Sequence, residues 1–219
     1  MRSKAFQWQF TTFFRILFGL HLVYSGAAYV FFGWVPSAFH NPASPVGHFM
    51  VELDRIDLYP VVKHIELVLG ILVLSNRFVP LAAVMELPIT IMIAYLNIFV
   101  EGAIAPRHYY TGIQELAING AVLLGYGAYY RTMLEPRARP QWLFSPLEPS
   151  AEAASAAGTS RAIAPAMWLC FIAVMAAVLA ASWFLGSADR RLPPRDWFPP
   201  LAAFLAMLAL SRLSRRKGE

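Results

Sequence analysis

Four stretches of this chain set acids, a lysine and histidines inside runs that are otherwise apolar. The first holds His21, with Ser25 one helical turn on. The second holds Lys63, His64 and Glu66; the third Glu86, Thr90, Asn97 and Glu101; the fourth Thr111, Glu115 and Asn119. An ionisable group withdrawn from water is costly unless it is paired, so such groups are candidates for binding or proton transfer. At helical spacing Lys63, Glu66 and Gly70 fall on one face. Glu86, Thr90, Asn97 and Glu101 share a second polar stripe, and Thr111, Glu115 and Asn119 a third. Each of four helices therefore offers one polar face, and turning all four inward is the economical arrangement.

The candidates for ligand binding or proton handling are His21, His64, Glu66, Glu86, Asn97, Glu115 and Asn119. Carboxylates and imidazoles of this kind relay protons or hydrogen-bond a quinone headgroup, and a quinone is the cofactor class they suit. The same residues equally make a network that glues helices together, with Lys63 neutralising Glu66 or Glu52. Metal binding is less well served. No helix carries the Glu-x-x-His pair of carboxylate di-metal bundles, and His64-Ile65-Glu66 has a spacing that points the two side chains apart, so no metal site is expected. His40 and His48 read as solvated loop residues. The sequence has no Gly-rich phosphate loop, no Gly-x-Ser-x-Gly and no His-Glu-x-x-His. Its one cysteine, Cys170, excludes an intrachain disulfide.

The elements that must carry these residues follow from composition. The 219 residues are 58% apolar and 14% charged, with a mean hydropathy of +0.52. Soluble domains run about 45–50% apolar and about 25% charged. A soluble enzyme domain, a disulfide scaffold and a disordered chain are thereby excluded, and the fold expected is all-α, a polytopic membrane bundle. A helix needs about 20 apolar residues to cross about 30 Å of hydrocarbon. Helices are expected over 16–35, 61–75 (short unless Lys63 snorkels), 78–100 and 110–130. A further helix is expected over 163–185, and a short run over 201–211 either spans or does not. Residues 36–59 read as a loop with a short interfacial helix near 46–53. The start, Met1-Arg-Ser-Lys4, has signal-peptide character, but Arg15 and the long run after it favour an uncleaved first span.

Three units result: a four-helix module over 1–135, a Pro/Ala/Ser-rich linker over 136–161, and a C-terminal helical pair over 162–219 with one or two transmembrane helices and a basic tail. In the last unit Ala173, Ala177 and Ala181 form a small-residue stripe suited to helix contact. The net charge of +5 lies at the ends of apolar runs, which suits lipid headgroups rather than nucleic acid. With six spans and the N-terminus inside, one side receives eleven basic residues, from Arg2 to Lys217. The other receives six: Arg55, Lys63, Arg107, Arg190, Arg191 and Arg195. The positive-inside rule then puts both termini in the cytoplasm.

Residues 12–139 resemble the DoxX-like family of small bacterial integral membrane proteins. The opening TFFRILFGLHLVYSGAAYVFFG places an Arg before a helix containing Ser25-Gly26. The middle LYPVVKHIELVLGILVLSNRFVPLAAVMELPI carries Ile65-Glu66, Gly70, Leu72, Leu74, Asn76-Arg77-Phe78 and Pro88 as that family does, and ELAINGAVLLGYGAYYRTML is the third segment. The resemblance implies a four-helix membrane fold and association with redox complexes, such as DoxD-type subunits of thiosulfate:quinone oxidoreductase. It implies partners among other membrane or membrane-associated subunits. Glu66 and Arg77 are the matched positions. The linker and the extra C-terminal helices depart from the family pattern. The functional expectation is a redox-associated inner-membrane subunit binding a quinone or another apolar ligand; a non-catalytic accessory or scaffold subunit is the alternative.

The charge count makes a topology prediction. A reporter enzyme fused after Ser145 reads cytoplasmic, one fused near Pro45 reads periplasmic, and one fused after Glu219 reads cytoplasmic. A periplasmic signal at Ser145 would overturn the arrangement.

Overall fold

The computed structural model describes residues 2–101, 107–130, 165–185 and 194–216. The expected linker over 136–161 and the basic cluster Arg190-Arg191 lie outside the described residues. Among those described the chain is all-helical, with no strand. The α-helices are α1 (Arg2–Phe32), α2 (Pro45–Arg55), α3 (Leu58–Leu74), α4 (Val79–Tyr95), α5 (Arg107–Gly125), α6 (Gly127–Tyr130), α7 (Pro165–Leu185) and α8 (Pro194–Arg216).

The first helix is longer than the 16–35 expected, because Arg15 does not mark its start. Arg15 is buried inside α1, and its guanidinium donates to the Val73 carbonyl at 3.5 Å. That carbonyl belongs to the last turn of α3, where the helix dipole favours a cation, and it also accepts from the Asn76 N–H. A charge compensated in this way is no longer a reason to end a helix. At the other end the chain leaves α1 through Gly33, whose φ of +61° is open to glycine, with its N–H donating to Tyr29 O at 2.9 Å.

The short helix expected near 46–53 is α2. Ser44 caps it by accepting from the Gly47 N–H at 3.0 Å, and Pro45 takes the first helical position. The second helix starts earlier than expected and holds Pro60 in its first turn. It ends in a Schellman arrangement. Asn76 is left-handed (φ 58°), its N–H donates to Val73 O, and the Arg77 N–H donates to Leu72 O at 2.9 Å. Phe78, also left-handed at φ 52°, then aims the chain into α4. Pro88 sits within α4, which runs on as one π-helical turn over Leu96–Val100. The fourth expected helix is interrupted at Tyr126, giving α5 and the short α6.

α1, α3, α4 and α5 pack in a ring, each against its two neighbours: α1 on α3, α3 on α4, α4 on α5, and α5 back on α1. The closest approach is between α1 and α3, and glycines permit it. A methyl group on Gly26 would lie 2.7 Å from the Leu67 amide nitrogen and the Lys63 carbonyl oxygen, and one on Gly70 would lie 2.7 Å from the Val23 amide nitrogen. α7 and α8 pack against the first half of α1. Phe171 stacks on Phe204 at 3.9 Å, and Phe13 meets both edge-on. The last run is therefore part of a longer helix than 201–211, with Pro199 and Pro200 in its early turns.

Two helical stretches among the described residues, Ala5–Phe32 and Val79–Val100, are long and apolar enough to cross a membrane. The apolar stretches of α7 and α8, Ala166–Ala177 and Phe198–Arg212, are shorter.

The glycine contacts set a prediction with an internal control. Gly70→Ala and Gly26→Ala force the α1 and α3 backbones apart, and each should lower stability by about 1–3 kcal/mol, typical of overpacking. Gly120→Ala on α5, where an added methyl meets nothing within 4 Å, should instead raise it by roughly 0.5–1 kcal/mol. Thermal unfolding of the purified protein that moves all three in one direction would contradict this packing.

Candidate functional site

The polar residues expected to turn inward are contributed by all four helices of the ring. From α3, Lys63 and Glu66 stand one turn apart, and both are buried. Lys63 Nζ donates to both Glu66 carboxylate oxygens at 2.8 and 2.7 Å, and to Ser25 Oγ of α1 at 2.8 Å. The lysine therefore does not snorkel outward. Its three donors are satisfied inside, and its ammonium also lies 5.3 Å from the ring centroid of Tyr59 one turn earlier. It is Glu66, not Glu52, that neutralises it; Glu52 accepts from Arg55 at 2.7 Å on the exposed face of α2. Lys63 consequently belongs to the interior and not to the basic residues of the outer side.

A second pair joins α1 to α5. His21 Nε2 and Glu115 Oε1 are 2.8 Å apart, the imidazole donating to the carboxylate. A third contact joins α5 to α4: Asn119 Nδ2 donates to Thr90 Oγ1 at 2.8 Å, both residues being buried. One turn before Thr90 on the same helix is Glu86, which is 3% exposed. Its carboxyl interacts electrostatically with Glu66, Glu115, Lys63 and His21, so the three helix pairs surround a common centre. Glu86 Oε2 and Asn119 Oδ1 are buried and have no hydrogen-bond partner among the described residues.

Of the seven candidate residues, His21, Glu66, Glu86, Glu115 and Asn119 belong to this centre. His64 and Asn97 are placed differently. His64 is exposed, and its Nδ1 donates to the Pro60 carbonyl one turn back at 2.7 Å, as its one-residue offset from Lys63 dictates. Asn97 lies in the π-helical turn, two turns beyond Thr90, and its amide donates to Ile93 O at 2.9 Å. His40 and His48 are exposed, the former in a short 3₁₀ turn and the latter in the first turns of α2.

Several buried polar residues were not among the candidates. Ser25 anchors the lysine, Arg15 caps α3, and Gln9 and Thr12 are buried earlier on α1. Their signal was helical spacing. Gln9, Thr12 and Arg15 follow one another at steps of three, on a side of α1 other than that of His21, and form one helical row once α1 is allowed to begin before Arg15.

Chemically, the arrangement gathers three carboxyl groups, an imidazole and an ammonium, with Lys63, Glu66 and Glu86 buried and the His21 and Glu115 side chains 31% and 14% exposed. Two carboxylates are neutralised by direct partners, and one is not. Among the described residues no group of three His, Cys, Asp or Glu side chains is placed to hold a metal ion.

The chain matches no protein-family model, no curated protein and no solved structure.

Proposed function

We propose that this chain is a multi-pass protein of the bacterial inner membrane, of the DoxX-like kind, with both termini in the cytoplasm. Its four-helix ring serves a redox complex by handling protons and binding a quinone at the polar centre. The observation that supports the membrane part is the distribution of residues on α3 and α4. On α3 the outward residues are Val61, Ile65, Val68 and Ile71, while Lys63 and Glu66 face inward. On α4 the outward residues are Leu81, Met85, Ile91, Tyr95 and Phe99, while Glu86 and Thr90 face inward. A soluble bundle has the opposite distribution, because water rewards outward charge and penalises outward apolar stripes. Lipid tails reverse both preferences.

The quinone reading is supported by the two unpartnered acceptors. The hydroxyl groups of a quinol are donors, and Glu86 Oε2 and Asn119 Oδ1 are acceptors that burial makes costly to leave alone. An apolar ring suits the surroundings, and a carboxyl near the headgroup is positioned to take the proton released on oxidation.

The test separates charge removal from misfolding. Glu86 has no ion-pair partner, so Glu86→Gln keeps shape and fold. It should weaken binding of a quinol analogue, whose hydroxyl donates to Oε2, by about ten- to a hundredfold, the worth of one hydrogen bond to a charged group. Glu66→Gln instead strands Lys63 and should destabilise the protein by about 3–5 kcal/mol. Unchanged analogue binding by Glu86→Gln in purified, folded protein would remove the quinone reading.

A second reading, an accessory or scaffold subunit, is favoured by α7. Leu169, Ile172, Ala173 and Ala177 are exposed along it, a surface suited to another transmembrane helix; the side chain of Ala181, third in the expected stripe, lies outside the described residues. Under this reading Ala177→Phe loses a co-purifying membrane partner while Glu86→Gln retains it.

A further inference from the structure

Two ion pairs account for four of the five charged groups at the centre: His21 with Glu115, and Lys63 with Glu66. Glu86 is the carboxyl left over. The charged and titratable groups facing it are Lys63 and Glu66 from α3, Glu115 from α5 and His21 from α1. With both pairs ionised, an ionised Glu86 leaves one negative charge uncompensated on a carboxyl that is itself buried. A neutral imidazole at His21 would only enlarge the deficit.

The hydrogen bonds show the same shortfall. Asn119 is fully buried, and its amide nitrogen is committed to Thr90, which leaves its Oδ1 without a donor. Glu86 Oε2 likewise has none. Native proteins seldom leave such groups unmatched. Both orphan atoms are acceptors, they lie on the two adjoining helices α4 and α5, and Thr90 links them, one turn from Glu86 and bonded to Asn119. A second acceptor or an anion would add to the deficit. One unit of positive charge that bonds to oxygen removes it.

We infer that Glu86 and Asn119 form an exchange site for one monovalent cation. The occupant is a proton carried on Glu86, or a sodium ion held by oxygens of Glu86, Thr90 and Asn119. A proton turns the Glu86 carboxylate into a hydroxyl donor. Sodium takes oxygen ligands only, and oxygen is what these three side chains offer. Because Glu66 and Glu115 are each bonded directly to a nitrogen of Lys63 or His21, Glu86 is the carboxyl of this centre free to exchange its counter-charge. The inference rests on the membrane part of the reading above and is independent of quinone.

The experiment uses the full chain in lipid nanodiscs and the apolar reagent dicyclohexylcarbodiimide, with no quinone present. The reagent modifies only a protonated carboxyl. The carboxyl oxygen bonds to the central carbodiimide carbon, the proton passes to a nitrogen, and the acyl group shifts to nitrogen as a stable N-acylurea with nothing lost. Peptide mass mapping should place the adduct on Glu86 and not on Glu66 or Glu115. Its rate should fall about tenfold per pH unit once Glu86 ionises, and Glu86→Gln should remove it. Sodium chloride against choline chloride at equal ionic strength separates the sources: slowing by sodium identifies sodium as the competing occupant, and no slowing identifies the proton. Equal modification of the three glutamates, or an unmodified Glu86 in the folded wild-type protein, would overturn the site. Since labelling needs no quinone, its failure and the failure of quinone binding are distinct results.

Discussion

The close contact of α1 with α3 is the constraint from which the rest of the centre follows. Lys63 and Glu66 can be buried only if every donor on the ammonium finds an acceptor, and the third acceptor is Ser25 on the neighbouring helix. Ser25 reaches it because the residue beside it is glycine, and the α3 backbone passes where a side chain on Gly26 would stand. Gly70 makes the reciprocal allowance for α1 at Val23. Small residues thus do more than let helices touch; they set the distance at which a buried charge pair becomes affordable in free energy. Loosening this contact would lengthen the Lys63 bond to Ser25 first.

With that pair fixed, the remaining groups have little freedom. Glu66 is already neutralised, so the charge that Glu86 meets from α3 is a balanced pair rather than a bare cation. His21, a turn before Ser25 on α1, faces α5 rather than α3 and takes Glu115. Thr90 and Asn119 then close the α4–α5 contact with one hydrogen bond, and Gly112 lets the two helices approach further along, where an added methyl would lie 2.7 Å from Ile98. The centre is consequently a set of neighbouring pairs with one odd member. A centre built only for helix adhesion has no need of an odd carboxyl, since an apolar residue at position 86 would pack without cost.

Much of this could be read in the sequence because its period is helical. Spacing of three and four put Lys63, Glu66 and Gly70 on one face, and did the same for Glu86 with Thr90 and Glu115 with Asn119. The structure buries these residues together, Glu115 less completely than the rest. Spacing within one helix does not report partners on another, which is why the lysine's choice of Glu66 over Glu52 stayed open. His64 shows the same limit from the other side: it neighbours two buried charges in sequence, yet one residue is a rotation of about 100° on a helix, and that is enough to put it outside. Arg15 was misread as a boundary because its compensation, the last turn of α3, is 58 residues away. The DoxX-like resemblance concerns segments that fall in α1, α3, α4 and α5, whereas the docking of α7 and α8 on α1 depends on aromatic contacts of Phe13, Phe171 and Phe204 that no local pattern announces.

The depth of the charges joins the fold to the proposed setting. Glu66 is the ninth of the seventeen residues of α3, and Glu115 the ninth of the nineteen of α5. Each has about 12 Å of helix on either side, so neither can reach water or a headgroup by extending along its own helix. In a bilayer such a position is the midplane, where an ionised group has no solvent but its protein partners. The chain meets that requirement from within: two cations brought in by α1 and α3, a serine, and a threonine–asparagine bridge. Apolar residues also lie on the outside, as Val61, Val68, Leu81 and Ile91, and in the proposed setting a hydrocarbon solvent leaves them without penalty. Buried polarity and exposed apolarity are therefore one adjustment, and neither would be stable without the other in the same surroundings.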